Sequence, residues 1–203
     1  KEHMREPEPR AAVQGELQQL HTRIDEEASR LAATHPGRLK CKRGCSMCCV
    51  DDITVAEVEA DRIRDHHADL LAHGNPHAVG MCAFLDEEGA CRVYEHRPYV
   101  CRSQGLPLRW TEYDEQGQGI ERRDICPLNE EGTPITQLPA EACWSIGWAE
   151  GALAQLQGTL DGLDELSFDD DDDDDFDKPG ENRMNRVALR DLFSKRAEGN
   201  GDA

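Results

Sequence analysis

The chain has 203 residues, of which 37% are hydrophobic and 5% aromatic, so it holds little material for a large apolar core. Its 23 Lys and Arg residues and 42 Asp and Glu residues give a net charge of −19, which argues against binding duplex nucleic acid, because phosphate binding needs clustered cations. No apolar run approaches the roughly 20 residues of a membrane span, and the first residues lack the apolar segment of a signal peptide. We therefore expect a soluble, cytoplasmic protein.

The first half of the chain predicts two helices. Residues 1–9 are polar and proline-bearing, and we expect them to be disordered. From Arg10 to Thr34, apolar residues recur three or four positions apart, which is typical of an amphipathic helix. Thr54 and Glu57 form a capping-box pattern that predicts a second helix, ending near Gly74.

The second half predicts two hairpins and a third helix. Two short apolar runs between Met81 and Tyr94 flank a four-residue turn, which indicates a hairpin. The stretches Leu106–Tyr113 and Ile120–Cys126 predict a second one. Pro139 begins an apolar stripe that continues to Leu160 and predicts a long helix. The expected fold is α+β: a mainly helical domain over residues 10–160 with two short hairpins around a cysteine-rich site.

The tail has a different character. Residues 161–180 are expected to be a disordered acidic linker, because seven adjacent carboxylates, Asp169 to Asp175, repel one another and stay solvated. Residues 181–203 are expected to hold a short basic helix followed by a tail. That helix is either a surface helix or a docking element for a protein partner.

The nine cysteines are the main feature that the composition leaves to explain. Their number is odd and no export signal precedes them, so a secreted disulfide framework does not fit. Thiols at this density in a reducing compartment usually hold a metal, which would also compensate for the small core. They are Cys41, Cys45, Cys48, Cys49, Cys82, Cys91, Cys101, Cys126 and Cys143.

The spacing of the first four cysteines predicts a metal knuckle. Cys45 and Cys48 are three residues apart in a glycine-containing loop, so a tight turn can direct both sulfurs at one centre. Cys41 extends this pair. Cys49 is adjacent to Cys48, and adjacent side chains point apart, so the pair suits two metals or a cluster better than one zinc ion. The surplus over the four thiols of a closed zinc site favours iron or an iron–sulfur cluster, with zinc as the alternative.

The ordered cysteine motifs resemble the bacterial YkgJ-like cysteine-cluster family over about residues 38–126. They are Cys45-x2-Cys48-Cys49, Cys82-x-Phe84-Leu85 and Cys91-x-Val93-Tyr94-x2-Arg97-Pro98-x2-Cys101-Arg102. The family usually begins with CxxCxxCC, whereas three residues separate Cys41 from Cys45 here. The resemblance implies a zinc- or iron-chelating domain, with a flagellin lysine methylase among its relatives. Together with the spacing, it implies that the metal ligands are Cys41, Cys45, Cys48, Cys49, Cys82, Cys91, Cys101 and Cys126.

Two arginines in the last motif are candidate cofactor-binding residues. A site with several thiolates is anionic, and Arg97 and Arg102 could balance that charge and donate hydrogen bonds to it. The alternative is that Arg97 packs on the surface and pairs with Glu95. His66, His67, His73 and His77 are expected to be surface residues, and His96 to be exposed. Cys143 is read as a small buried residue or a further ligand.

A functional alternative stays open. The spacing Cys41-x3-Cys45-x2-Cys48 also occurs in radical-SAM enzymes, where three cysteines hold a [4Fe–4S] cluster. This chain lacks the repeated strand–helix units of that barrel. The favoured interpretation is a metal-binding protein, and the alternative is an iron–sulfur enzyme for methyl transfer or redox chemistry.

Overall fold

The structure is a computed structural model that describes residues 9–42, 44–162 and 185–193. Five α-helices lie in these ranges: α1 (Pro9–Thr34), α2 (Glu57–His66), α3 (Ala68–His73), α4 (Tyr99–Arg102) and α5 (Ile146–Leu160). The strands are β1 (Thr54–Ala56), β2 (Leu108–Tyr113), β3 (Gly119–Asp124), β4 (Trp144–Ser145) and β5 (Arg186–Ala188). Short 3-10 turns cover Tyr94–His96, Pro127–Asn129, Ile135–Gln137, Ala140–Ala142 and Leu189–Leu192. The predicted α+β fold with much helix is confirmed.

The helix α1 forms as its periodicity predicts. One face buries Val13, Leu17, Leu20, Ile24 and Leu31 almost completely. This face packs against α5, α4 and the fully buried Trp144 in the first of two hydrophobic clusters. Burying this stripe stabilises the helix through tertiary packing, at about 1.5–3 kcal/mol for each large side chain.

The second cluster supports the cysteine region. It joins β1 and α2 to the segment from Cys82 to Val93, with Phe84 at its centre. Leu189, Leu192 and Phe193, from the far side of the acidic run, complete it. Cys49 and Cys91 pack against this cluster, so the cysteine loops rest on a folded base.

Two small sheets organise the strands. In the larger sheet the order is β3-β2-β4: β2 pairs antiparallel with β3 and parallel with β4. The predicted second hairpin is therefore present, as β2 and β3. In the smaller sheet β1 pairs antiparallel with β5, with Val55 opposite Val187.

Three local predictions are wrong, two of them because a strand pairing replaced a local signal. Thr54 is not a helix cap: it lies in β1, opposite Ala188, and α2 begins after Ala56 without a side-chain cap. The predicted first hairpin is reduced to an isolated bridge between Leu85 and Cys91. The third helix begins at Ile146 instead of Pro139, because the strand β4 is drawn into the larger sheet.

The basic helix expected near the C-terminus is also absent from the described part of that segment. Residues 186–188 form β5, and the 3-10 turn Leu189–Leu192 follows. Most of the acidic run lies outside the described residues, so its predicted disorder, like the domain limits, stays a prediction. Among the described helices, none has the length and apolarity that a membrane crossing needs.

Candidate metal centre

Seven cysteines line one pocket of about 220 Å³, which we call the thiol pocket. They come from three parts of the chain: the loop 41–49, the segment 82–91 and α4. Apolar side chains, including Phe84, Leu85 and Val93, form part of its wall, and Lys42, Tyr94 and Gln104 also line it. The seven cysteines are Cys41, Cys45, Cys48, Cys49, Cys82, Cys91 and Cys101.

Two consecutive turns shape the first cysteine loop. The Cys45 amide donates to the Lys42 carbonyl at 2.9 Å, and the Cys49 amide donates to the Ser46 carbonyl at 3.0 Å. Gly44 has φ +86°, a conformation that favours glycine. Each turn folds the chain back within four residues, so four cysteines of a short segment reach the same pocket.

Backbone hydrogen bonds fix the second cysteine segment to the first. The Cys82 amide donates to the Cys49 carbonyl at 2.9 Å. Asp86 closes the turn that follows, because its Oδ1 accepts from the amides of Glu88 and Ala90 at 2.9 and 2.8 Å. This turn returns Cys91 to the pocket wall opposite Leu85.

The short helix α4 presents Cys101 because its first turn is anchored in the core. The Tyr99 amide donates to Glu59 Oε1 at 2.7 Å, and that oxygen lies 2.8 Å from His21 Nε2. Glu59 and His21 are 2% and 1% exposed, so this is a buried polar connection between α1, α2 and α4. Such connections are costly to break because the partner left behind is unpaired.

Among the pocket thiols with a shifted pKa, only Cys48 has a lowered one. A hydrogen bond from Cys49 lowers the pKa of the Cys48 thiol to about 6, and the same bond raises the pKa of Cys49. Burial raises the pKa of Cys82, Cys91 and Cys101. The thiolate form is therefore favoured at Cys48, whereas burial favours the protonated form of Cys82, Cys91 and Cys101.

Cys48 also lies between two groups of thiols. Repulsion by Cys45, Cys126 and Cys48 adds to burial in raising the pKa of Cys41. The pKa of Cys49 is raised first by its hydrogen bond to Cys48 and then by burial. Repulsion by Cys48, Cys82 and Cys101 adds a smaller rise. The thiols thus form one continuous set in which Cys48 neighbours both ends.

The remaining two cysteines differ from each other. Cys126 does not line the thiol pocket, but it lies close enough to Cys41 to contribute to the rise in its pKa. Cys143 is 5% exposed, burial raises its pKa, and the charges acting on it are those of Arg123, Arg109, Glu121 and Arg38. Cys143 does not line the thiol pocket, and no cysteine is among the leading charges that act on it, so it stands apart from the set.

Arg97 and Arg102 line the thiol pocket, and both have carboxylate or carbonyl partners. Arg102 Nη1 lies 2.5 Å from Asp25 Oδ2, and its other nitrogens donate to the carbonyls of Arg97 and Glu95. Arg97 lies 3.7 Å from Asp25 Oδ1 and stacks over the Tyr94 ring at 4.1 Å. Arg97 pairs with Asp25 and not with Glu95, and its charge offsets part of the rise that burial causes in the pKa of Cys91.

Three histidines form a cluster that the sequence does not reveal. The rings of His66 and His96 stack at 3.9 Å, and His67 Nε2 lies 3.0 Å from His96 Nδ1. Burial, followed by the charges of its neighbours, lowers the pKa of His96 to about 4. His96 is half-buried, so the expectation of an exposed residue is wrong, and only contact between α2 and the turn Tyr94–His96 could have indicated it.

The C-terminal segment is the largest contribution that the sequence did not indicate. Leu189 lines the thiol pocket. Arg190 binds Asp51, directly after the first cysteine loop, and donates to the carbonyls of His77, Ala78 and Met81. This guanidinium joins the segments that carry Cys49 and Cys82. Its preference for carbonyl and carboxylate acceptors is a property of any arginine, so no signal in the sequence identified it.

The thiol side chains do not converge on a point. Within the ranges 9–42, 44–162 and 185–193, no group of three or more His, Cys, Asp or Glu residues has an arrangement that could hold a metal ion as it stands. All nine cysteines are free thiols. The structure thus brings seven of the eight predicted ligands to one pocket wall without placing their sulfurs around a common centre.

Comparison with known proteins gives one match. Residues 40–127 match the model of the CxxCxxCC family, described as a "putative zinc- or iron-chelating domain". This range contains eight of the nine cysteines and omits Cys143. The chain matches no curated protein and no solved structure.

Proposed function

We propose that the CxxCxxCC segment, residues 40–127, makes this chain a metal-binding protein whose centre is the thiol pocket. The observation that carries the proposal is that seven cysteines, spread over some 60 residues of sequence, line a single pocket. The predicted ligands are these seven, with Cys126 as the eighth beside Cys41. Cys143 is not a ligand in this proposal.

The donor set fits zinc and iron. Both metals accept thiolate ligands, and the thiolate, not the thiol, is the ligand. Cys48 is therefore the first sulfur expected to bind. The other thiols would lose their protons on binding, so uptake of metal releases protons. Because the sulfurs do not converge on a point, their side chains have to rotate into the pocket when metal binds.

Iron, alone or as an iron–sulfur cluster, is the proposed metal, with zinc as the alternative. A closed zinc site uses four thiolates, and seven line this pocket. Its volume of about 220 Å³ is several times the roughly 30 Å³ that one water occupies in the liquid, so it has room for more than one ion. Arg97 and Arg102 lie on the wall and would offset the charge of an anionic centre.

The proposed location is the cytoplasm. A reducing compartment keeps thiols free, and all nine cysteines are free in this structure. The acidic charge and the absence of a spanning helix among the described residues are compatible with that location.

One observation supports the enzyme alternative. The thiol pocket reaches the surface: Cys41 is exposed, and Tyr94, on the pocket wall, is 39% exposed. A small molecule could therefore approach a metal bound there. An iron–sulfur centre would supply one-electron chemistry at this position, which methyl-transfer and redox enzymes use.

Purification without oxygen tests this function. We expect stoichiometric iron with visible absorption, or stoichiometric zinc in a colourless protein if the alternative metal is correct. Zinc without iron or acid-labile sulfide would contradict the proposed metal and leave metal binding standing. A folded protein with neither metal, which also takes up neither on anaerobic addition, would contradict the function itself.

A further inference from the structure

Asn129 is a buried amide that connects three separate parts of the chain at the edge of the thiol pocket. It is 0% exposed and ends the 3-10 turn Pro127–Asn129. Its Oδ1 accepts from the Lys40 amide at 2.8 Å, and its Nδ2 donates to the Gly105 carbonyl at 2.7 Å. The same Nδ2 lies 3.4 Å from the Cys41 sulfur, within the range of an N–H···S hydrogen bond.

The orientation of this amide follows from its partners. The Lys40 amide can only donate and the Gly105 carbonyl can only accept, so oxygen must face Lys40 and nitrogen must face Gly105. One N–H of Nδ2 serves Gly105, and the second is free to point at Cys41. The N–H···S bond is therefore set by two backbone groups that do not depend on the sulfur.

The backbone of Asn129 is fixed as firmly as its side chain. Its amide donates to the Cys126 carbonyl at 2.8 Å, and its carbonyl accepts from Arg38 Nε at 2.8 Å. These bonds tie the 3-10 turn to the residues that precede Cys41. They also explain why Cys126 lies near Cys41.

Gly105 holds the other side of the same sulfur. A Cβ added at this position would overlap Cys41 Sγ, and Gly105 has φ +86°, which disfavours any other residue. The Cys41 sulfur thus lies between a bare stretch of backbone and a buried amide donor.

We propose that Asn129 is a positioning residue of the metal centre: it fixes Cys41 as a ligand and donates an N–H···S bond to its thiolate. This inference rests on the proposed function. It concerns the cysteine whose spacing departs from CxxCxxCC, and a residue beyond the end of the family match at position 127. A donor on a metal thiolate withdraws electron density from the sulfur, which stabilises its charge and shifts its electronic transitions.

The variant Asn129→Asp tests the inference. It keeps the acceptor for Lys40 but replaces the N–H donor with a carboxylate oxygen that faces both the Gly105 carbonyl and the thiolate. We expect it to release the native metal to EDTA about 10- to 100-fold more readily than wild type. We also expect the sulfur-to-metal charge-transfer band, measured on the iron protein or after cobalt(II) substitution of zinc, to move to longer wavelength. If Asn129→Asp does not fold, Asn129→Ser is the test variant, because the serine side chain is too short to reach Cys41 and adds no charge.

Arg38→Ala is the matched control. It loosens the same 3-10 turn by removing the bond to the Asn129 carbonyl, but it leaves the N–H···S bond in place. Its charge-transfer band should match wild type. In a Cys41→Ser background, Asn129→Asp should have no additional effect on metal release.

Three results would overturn the inference. The first is an unchanged EDTA midpoint and band in a folded Asn129 variant. The second is an equal loss of metal in Asn129→Asp and Arg38→Ala with no change of band, which would mean that Asn129 is structural only. The third is the absence of metal from wild type, which would overturn the proposed function as well, whereas the first two leave it standing.

Discussion

Cys48 is the residue on which the thiol pocket depends most. It acts on the thiols of both groups, and the hydrogen bond from Cys49 lowers its pKa to about 6. Cys143, in contrast, is buried and does not line the thiol pocket. The two residues therefore make a matched pair for substitution, because one lines the thiol pocket and the other is buried in the core.

The variant Cys48→Ser should lose most of the bound metal. A serine hydroxyl is a poor ligand for zinc or iron, and the remaining sulfurs lose the neighbour that connects them. The matched control Cys143→Ala should keep the full metal content, with a loss of stability on the scale of a small core truncation. Metal content per folded chain, measured by elemental analysis, checks both. Equal metal in the two variants would remove Cys48 from the ligand set.

The histidine cluster predicts a pH dependence of stability. The pKa of His96 is about 4 in the folded protein, mainly because of burial, and its usual value is 6.5. Between these values the unfolded chain binds a proton at this imidazole and the folded chain does not. The stability that depends on the neutral His96 imidazole is therefore fully present above pH 6.5 and is lost progressively as the pH falls toward 4.

Replacing His96 should reduce this acid sensitivity. The fall in melting temperature between pH 7 and pH 5 should be smaller in His96→Asn than in wild type. His73→Asn, a substitution at an exposed histidine of α3, should leave the fall unchanged. An identical fall in all three proteins would show that His96 does not contribute.

At the scale of elements, the C-terminal segment 185–193 is part of the core and not an appendage. The strand β5 completes a sheet with β1, and Leu189, Leu192 and Phe193 enter the cluster that supports Cys49, Cys82 and Cys91. The sequence predicted a surface helix or a docking helix here. The packing contradicts a surface position, because removing the segment would expose apolar surface directly behind the cysteine loops.

The substitution Phe193→Ala should destabilise the protein by about 3 kcal/mol or more. The Phe193 ring is 5% exposed, lies 5.0 Å from the Phe84 ring and is covered by Arg92. Asp191→Ala, at an exposed position of the same 3-10 turn, is the control and should change stability little. Urea denaturation measures both. A Phe193→Ala midpoint equal to that of wild type would mean that this segment does not pack on the core in solution.

The parts of the fold that the sequence predicts are those with a local signal. The stripe from Val13 to Leu31 predicts α1, and the turn between Tyr113 and Gly119 predicts the β2–β3 hairpin. The strands β1 and β5 have three residues each and pair across more than 130 residues, so neither has a periodicity to recognise. Thr54 even carries a helix-start signal, which its pairing with Ala188 overrides.

The residues of the candidate site likewise fall into those that a local signal predicts and those that only the folded structure reveals. Motif spacing points to the cysteines that line the pocket, because turns set by Gly44 and Asp86 fix their positions locally. Asn129 and Arg190 reach the site through hydrogen bonds to backbone groups distant in sequence. An amide or a guanidinium that binds backbone leaves no pattern in a single sequence, so neither could be found without coordinates.

At the scale of the whole molecule, metal binding should be coupled to stability. The chain is only 37% hydrophobic, and the proposed metal has to draw together sulfurs that do not surround a common centre in the described part of the chain. A ligand present at 100 times its Kd stabilises the folded state by about 2.7 kcal/mol, which for a protein of this size corresponds to roughly 5–10 °C in melting temperature. Removing the metal with a chelator should lower the melting temperature by at least this amount, and re-adding it under reducing conditions should restore the loss. An unchanged melting temperature would mean that the core alone holds the fold.

Anomalous diffraction from crystals of the anaerobically purified protein, recorded at the iron and zinc absorption edges, would locate a metal in the thiol pocket. We expect an anomalous peak inside the thiol pocket, at about 2.3 Å from the sulfur of Cys48 and from those of at least three other pocket cysteines. A peak at the iron edge would support the proposed metal, and a peak at the zinc edge alone would support the alternative. Metal located away from the pocket, or a pocket without metal in crystals grown with both ions, would show that the thiol pocket is not the metal centre.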